Sequence, residues 1–355
     1  MNLVSARGST GHSACGITVL MRRGSCELTE IRPTTYYPGT QYCDPGGTVL
    51  AKFSKDPFAL LKYNAFTFVC YAMIALLLGW FLHRIHLPSF YWFMVLLIPI
   101  ALPSFPLSVV GSIGLVLASL AFEPQAFSPI YWGLVPVGLL LGIVSASLMH
   151  SAAHGSIRPI WLGRIVGELC GLQQLVGFQE WTLAHHIHHR YADDAVQDPH
   201  PPLDLPFWKY GLRMKFAIAN KFTFYYFQAW GKTPRASRIW VLTGPFIALN
   251  CYMRSLIWLL FLGPLGFTLF FLPSYFSNMV FYAHFNYYTH RPTSNGNYEI
   301  FNLDHNAIYR ALNAITFGAY YHKNHHLKPY LFNPKYVQQQ ETVRPARFVP
   351  STEQA

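Results

Sequence analysis

The sequence predicts an all-α, polytopic membrane protein of about four to six transmembrane helices under a histidine-rich cytoplasmic cap. Composition is the first reason: of 355 residues, 52% are hydrophobic and 12% charged, about half the roughly 25% charge of a soluble domain. Uncharged runs are the second. Residues 65–82, 87–122, 124–149, 239–253 and 255–283 contain no Asp, Glu, Lys or Arg, and several reach the ~18 apolar residues of a spanning helix. The third is where the 26 Lys and Arg fall: seven before the first apolar run, ten between 151 and 240, and seven after 284. By the positive-inside rule those three stretches face the cytoplasm. The net charge of +11 is thus a matter of topology, and no basic, aromatic surface remains to suggest a nucleic-acid groove.

In chain order, residues 1–64 read as a polar cytoplasmic arm with turns at Pro38-Gly39 and Pro45-Gly46-Gly47. The apolar stretch Ile17–Leu20 is too short for a signal peptide. A first span is expected near 65–83. The run 87–122 exceeds one untilted helix and is interrupted by Pro99, Pro103 and Pro106, which predicts a hairpin of two short helices. A span over about 129–149 then ends at His150. Residues 151–238 carry ten basic residues and no uncharged run of spanning length, as expected of amphipathic helices lying on the membrane. From 239 to 283 the chain is apolar apart from Arg254, with Gly263-Pro264 near the middle, and fits two spans. The basic tail returns to the cytoplasm. Three regions follow: the arm over 1–64, a membrane-embedded domain over 65–340 and a tail over 341–355. The six cysteines (Cys15, Cys26, Cys43, Cys70, Cys170, Cys251) form no CxxC pair and read as free thiols.

The histidines carry the chemistry. Of sixteen, nine fall in three clusters and a tenth, His290, in one spaced pair with Asn286. His150-Ser-Ala-Ala-His154 places two imidazoles on one helix face. His185-His186-Ile187-His188-His189 and His322-Lys323-Asn324-His325-His326 each contain HxxHH, and Asn286-Tyr-Tyr-Thr-His290 sets an amide and an imidazole four apart. A lone HxxxH is as readily a packed or surface pair. Three such clusters on one side of a membrane point to metal coordination. Imidazole suits zinc, copper, iron and nickel. A closed structural zinc site takes four ligands, and eight or nine histidines are enough for two metals.

HxxxH, then HxxHH about 30 residues on, then a second HxxHH after a pair of spans resembles the membrane fatty acid desaturase and hydroxylase superfamily, whose members hold a non-haem di-iron centre. The resemblance covers roughly 130–335. It implies two Fe ions, ligated by His150, His154, His185, His188, His189, His322, His325 and His326. Asn286 and His290 match the NxxxH element of stearoyl-CoA desaturases, which would make His290 a ligand and Asn286 the holder of a metal-bound water; His284 and His305 are its rivals. His186 is unmatched and reads as a support to the ligands. The first box lacks the Arg of the HRxxxH pattern of delta-9 desaturases. Its spacing is closer to acyl-lipid and sphingolipid desaturases, hydroxylases and the bacterial decarboxylase that makes terminal alkenes.

The resemblance thus implies an O2-dependent oxidase of a fatty acid or fatty acyl lipid, with desaturation first, decarboxylation to a 1-alkene and CO2 second, and hydroxylation of an alkane, aromatic methyl group or carotenoid third. Carboxylates that could orient the imidazoles are Glu180, Asp193, Asp194, Asp198 and Asp304. A decarboxylase would anchor its substrate through a cation such as Arg190, Arg291 or Lys323. The sequence has no HPGG, ferredoxin cysteine pattern or GxGxxG, so electrons are expected from a separate ferredoxin, rubredoxin or cytochrome b5 type donor with its reductase. The setting is a bacterial inner membrane or endoplasmic reticulum, with the active site toward the cytoplasm. A metal transporter would place acids or histidines within the spans, whereas these clusters sit at or beyond span ends.

Overall fold

The computed structural model describes residues 53–82, 88–122, 128–202, 205–292 and 298–337. Most of the arm and the 341–355 tail lie outside the described residues, as do Cys15, Cys26 and Cys43. Helices run in the order α1 (Ala59–Leu82), α2 (Pro88–Leu96), α3 (Ile98–Ala101), α4 (Phe105–Phe122), α5 (Leu134–Ala153), α6 (Ile160–Gln174), α7 (Phe178–Arg190), α8 (Phe207–Trp230), α9 (Pro234–Gly266), α10 (Leu272–Thr289), α11 (Ala307–Ile315) and α12 (His322–Leu327). A two-stranded antiparallel ribbon, β1 (His290–Pro292) and β2 (Tyr298–Ile300), pairs His290 with Ile300.

Four helical stretches are long and apolar enough to cross a membrane: Ala59–Leu82, Phe105–Phe122, Pro129–Ala153 and Pro234–Thr289. Their outer faces are those of an integral membrane protein. On α1, Phe66, Leu76, Trp80 and Phe81 are 67–69% exposed while Asn64, Thr67 and Gly79 point inward. Water would oppose that arrangement and hydrocarbon permits it, because helices in lipid associate through close packing and interhelical hydrogen bonds.

The expected first span begins earlier, at Ala59, because Lys62 reaches back to Asp56 (2.8 Å) and does not interrupt the helix. The expected hairpin over 87–122 is present: its first limb is broken before α3, where Pro99 enters the first turn, and its second is α4. The apolar stretch after residue 238 extends over Pro234–Thr289, since Thr233 caps the start of α9 through Ala236 N–H (3.1 Å). Its bend lies at Gly263 (φ 73°, ψ 173°), immediately before Pro264, in a backbone region essentially confined to glycine. A π-helical turn over Phe267–Phe271 leads on to α10. Both arms contribute to one apolar core with α1–α4, through Tyr71, Phe93, Leu115, Leu259, Phe267 and Phe271.

The α5–α10 contact sets up the site. A Cβ at Gly138 would collide with the Phe270 carbonyl, and one at Gly142 with the Ser277 hydroxyl and the Ser274 carbonyl. The two backbones therefore approach closely and bond across the gap: Ser277 Oγ to Leu139 O (2.9 Å), Asn278 Nδ2 to Gly142 O (3.2 Å) and Tyr282 Oη to Ala146 O (3.0 Å). Gln173 of α6 joins both, as its amide nitrogen donates to Ser274 Oγ (2.7 Å) and its oxygen accepts from Ser145 Oγ. This fixes the end of α5, where the first histidine pair sits.

Candidate metal centre

Each histidine cluster lies where an element ends or is short. His150 occupies the last turn of α5 and His154 caps it. The second cluster rides on α7, whose start is secured when Glu180 Oε2 accepts from Gly177 N–H (3.2 Å). The third forms α12 itself, and His290 ends α10. The histidines converge in two adjoining groups. His150, His154, His185, His189 and His325 form one; His188, His290, His322 and His326 form the other. All nine are buried, none more than 8% exposed.

Helical spacing explains the division. At about 100° per residue, i and i+4 share a face while i+3 of the same HxxHH looks aside. On α7, His185 and His189 therefore join the first group and His188 the second. On α12 the sense is reversed: His322 and His326 join the second, and His325 crosses to the first. Each HxxHH thus contributes to both groups and holds them side by side.

The nitrogens are arranged for a cation rather than for one another. His154, His185 and His189 bring their Nε2 atoms within 2.7–3.1 Å pairwise, and His325 Nε2 lies 3.0 Å from that of His189. In the other group His322 Nε2 is 2.9 Å from His290 Nε2 and 3.1 Å from His326 Nε2. An imidazole nitrogen has one hydrogen or one lone pair, so a triangle of three cannot be satisfied by mutual hydrogen bonds. Nitrogens bound at about 2.1 Å, roughly a right angle apart, would sit about 3.0 Å from each other. His150 Nε2 and His188 Nε2, one from each group, are buried with no hydrogen-bond partner. Both groups fit a divalent transition ion.

Burial, followed by the neighbouring imidazoles, lowers the pKa of His154, His185, His189, His322, His325 and His326, leaving neutral rings with lone pairs available. For His188 burial acts the same way, but Asp198 outweighs it and raises the value. Asp198 is itself held low against its burial by His188 and His200. His188 Nδ1 lies 3.0 Å from Asp198 Oδ2, and His290 Nδ1 2.9 Å from Asp193 Oδ2.

The remaining sequence candidates separate clearly. Asp194 accepts from Val196 and Gln197 N–H and shapes the loop. Glu180 accepts from Asn64 Nδ2 of α1 (2.7 Å), and Asp304 is exposed; these three do not orient the clustered imidazoles. His186 faces the Ala153 carbonyl (Nε2 to O 3.2 Å) and is lowered to about 4 by burial. His284 pairs with Tyr320 Oη (2.8 Å), and His305 is exposed, so of the three rivals only His290 enters a group. Asn286, one turn earlier, is buried with its amide nitrogen on Tyr282 O (2.9 Å). His200, absent from every motif, packs its ring on His188 with centroids 4.5 Å apart; the only signal for it was its place in Asp198-Pro199-His200 after the second box. A cavity of about 10 Å³, lined in part by Ser147, His150, Ser151, Thr316 and His325, has room beside the five-histidine group for about one water.

The family model for fatty acid desaturases matches residues 127–349, which contain every histidine of both groups. The chain belongs to the fatty acid desaturase family. It is 30% identical over 224 residues to the sn-1 stearoyl-lipid 9-desaturase of Synechocystis sp., a match covering 60% of this chain and 66% of that relative, just under two thirds of its length. No solved structure matches the chain. Together with the four apolar helices, family membership supports an integral membrane protein. Of the cations weighed as carboxylate anchors, Arg190 and Arg291 are exposed and lie over Tyr191 and Tyr288, respectively. Lys323 is half-buried on α12.

Proposed function

We propose that the protein is a membrane-bound, non-haem di-iron, O2-dependent fatty acyl desaturase. The observation that carries this reading is the sorting of nine buried histidines into adjoining groups of five and four within a chain of the fatty acid desaturase family. His150, His154, His185, His189 and His325 would hold one iron; His188, His290, His322 and His326 the other; Asn286 would hold a metal-bound water. Such a pair, with dioxygen and electrons, supplies the oxidising power to take hydrogen from an unactivated methylene, which no side chain possesses. The protein's own residues position and exclude. The HxxHH boxes of α7 and α12 keep the groups adjacent, Asp193 and Asp198 fix the ring orientation of His290 and His188, and the close α5–α10 packing keeps bulk water from their base.

The substrate is an acyl chain on a lipid, entering from the membrane. The similarity to an sn-1 stearoyl-lipid 9-desaturase supports an acyl-lipid substrate, as does the HxxxH spacing of the first box. Decarboxylation and hydroxylation have no comparable support here. Electrons come from a separate ferredoxin, rubredoxin or cytochrome b5 type protein, for which exposed basic residues such as Arg213 and Lys232 offer a complementary dock. The basic segments place the site on the cytoplasmic side.

The purified, detergent-solubilised protein should carry two irons per chain by plasma mass spectrometry. Zinc in their place, or no metal after expression in iron-replete medium, would overturn the assignment.

A further inference from the structure

The two histidine groups differ in what stands behind them. Among the described residues, the histidine–carboxylate pairs all fall on the four-histidine group or on the His200 beside it. Asp198 is fully buried. Its Oδ2 accepts from His188 Nδ1 (3.0 Å) and also from the backbone N–H of Asp193 (2.8 Å), while its Oδ1 accepts from His200 N–H (2.9 Å). Asp193 in turn sets both carboxylate oxygens 2.9–3.0 Å from His290 Nδ1. It does so from the left-handed region, at φ 65°, which is uncommon for a residue other than glycine and tolerated best by Asp and Asn. One short loop thus links His188 of α7 to His290 at the end of α10 through two carboxylates joined by a backbone hydrogen bond.

We propose that Asp193 and Asp198 form a single brace acting on one metal site only, so that losing either loosens the metal of the four-histidine site and leaves the hold of the five-histidine site unchanged. The inference rests on the reading that both groups hold metal. A carboxylate on the far nitrogen of a ligating imidazole fixes its tautomer and ring plane and raises its basicity, and removing such a partner lowers metal affinity by about 10–100-fold. The five-histidine group shows no carboxylate pair to lose. Its rings, carried by α5, α7 and α12, meet one another instead: His325 lies with its ring centroid 4.1 Å from that of His150 and 4.8 Å from that of His189.

The test compares iron retained by the purified holoprotein under increasing chelator. Wild type should keep both ions. Asp193→Asn and Asp198→Asn should each release one ion at about 10–100-fold lower chelator and retain the other. Asp194→Asn, altered in the same loop away from either ring, should behave as wild type. At the chelator level that strips one ion from Asp198→Asn, adding His322→Ala should remove nothing further, whereas adding His325→Ala should empty the protein. Retention of both ions by the two aspartate variants, loss of both together, or the same loss in Asp194→Asn would overturn the brace. Should Asp198→Asn fail to fold, Asp193→Asn gives the same readout, because Asn accepts the left-handed backbone and keeps its N–H on Asp198. A wild type without metal would overturn the metal reading itself, a result distinct from two equally held ions.

Discussion

His150 and His325, far apart in the chain, lie ring to ring with centroids 4.1 Å apart at an interplanar angle of 48°. His150 is placed by the last turn of α5, and His325 by α12, which is tied to the chain before it where Asn324 N–H donates to Asn302 Oδ1 (3.2 Å) and Asn302 Nδ2 to Asn324 Oδ1 (2.9 Å). The five-histidine group is therefore assembled from segments as far apart as residues 150 and 325, and it reports on the whole tertiary arrangement.

Replacing a histidine of either group should be severe. His188→Ala or His325→Ala is expected to lower desaturation by more than about 100-fold, beyond what loss of an outer partner causes, with iron content falling in parallel. By contrast, His284→Ala should leave iron content unchanged, since His284 bonds Tyr320 outside both groups. Iron analysis of the purified variants checks both outcomes, and loss of iron in His284→Ala would reassign the NxxxH position.

The α5–α10 contact predicts a stability effect without chemistry. Gly142→Ala should destabilise the protein by about 1–3 kcal/mol through overpacking, seen as a lower unfolding temperature in detergent. Adding Ser277→Ala should not restore it, because the Ser274 carbonyl still meets the new methyl group. Full rescue by the double variant would show that the hydroxyl alone sets the approach.

Iron retention should fall with pH. Burial lowers the folded-state pKa of His185, His189, His322, His325 and His326, so the unfolded chain binds more protons below the ordinary value of about 6.5. The contribution of these neutral rings to stability is complete above that value and is lost as pH falls toward their folded-state pKa. Metal release adds to the same trend, since protons compete for the lone pairs. Chelator release at pH 7.5 and 5.5 checks the direction, and faster release at the higher pH would contradict it.

The histidine clusters were legible in the sequence because helical spacing alone puts HxxxH and HxxHH on shared faces, and nine of these histidines fall into two adjoining groups. Their division into five and four was not, because it depends on how α7 and α12 are turned toward each other. Gly263-Pro264 marked the bend, while the start of α9 at Pro234 was hidden behind Arg235 and Arg238, which a charge-based reading places outside a span. Among the acids after the second box, Asp193, Asp194 and Asp198 were indistinguishable by position. Only the left-handed backbone at Asp193 turns it toward His290 and leaves Asp194 to the loop.

The most direct test of the central claim is gas chromatography with mass spectrometry of the lipids and headspace of cells expressing the protein with a donor system and fed saturated fatty acids. New monounsaturated acyl chains of unchanged length, absent with His325→Ala, are expected. Unaltered acyl chains, a hydroxylated product, or a volatile alkene one carbon shorter than the acid supplied would contradict desaturation.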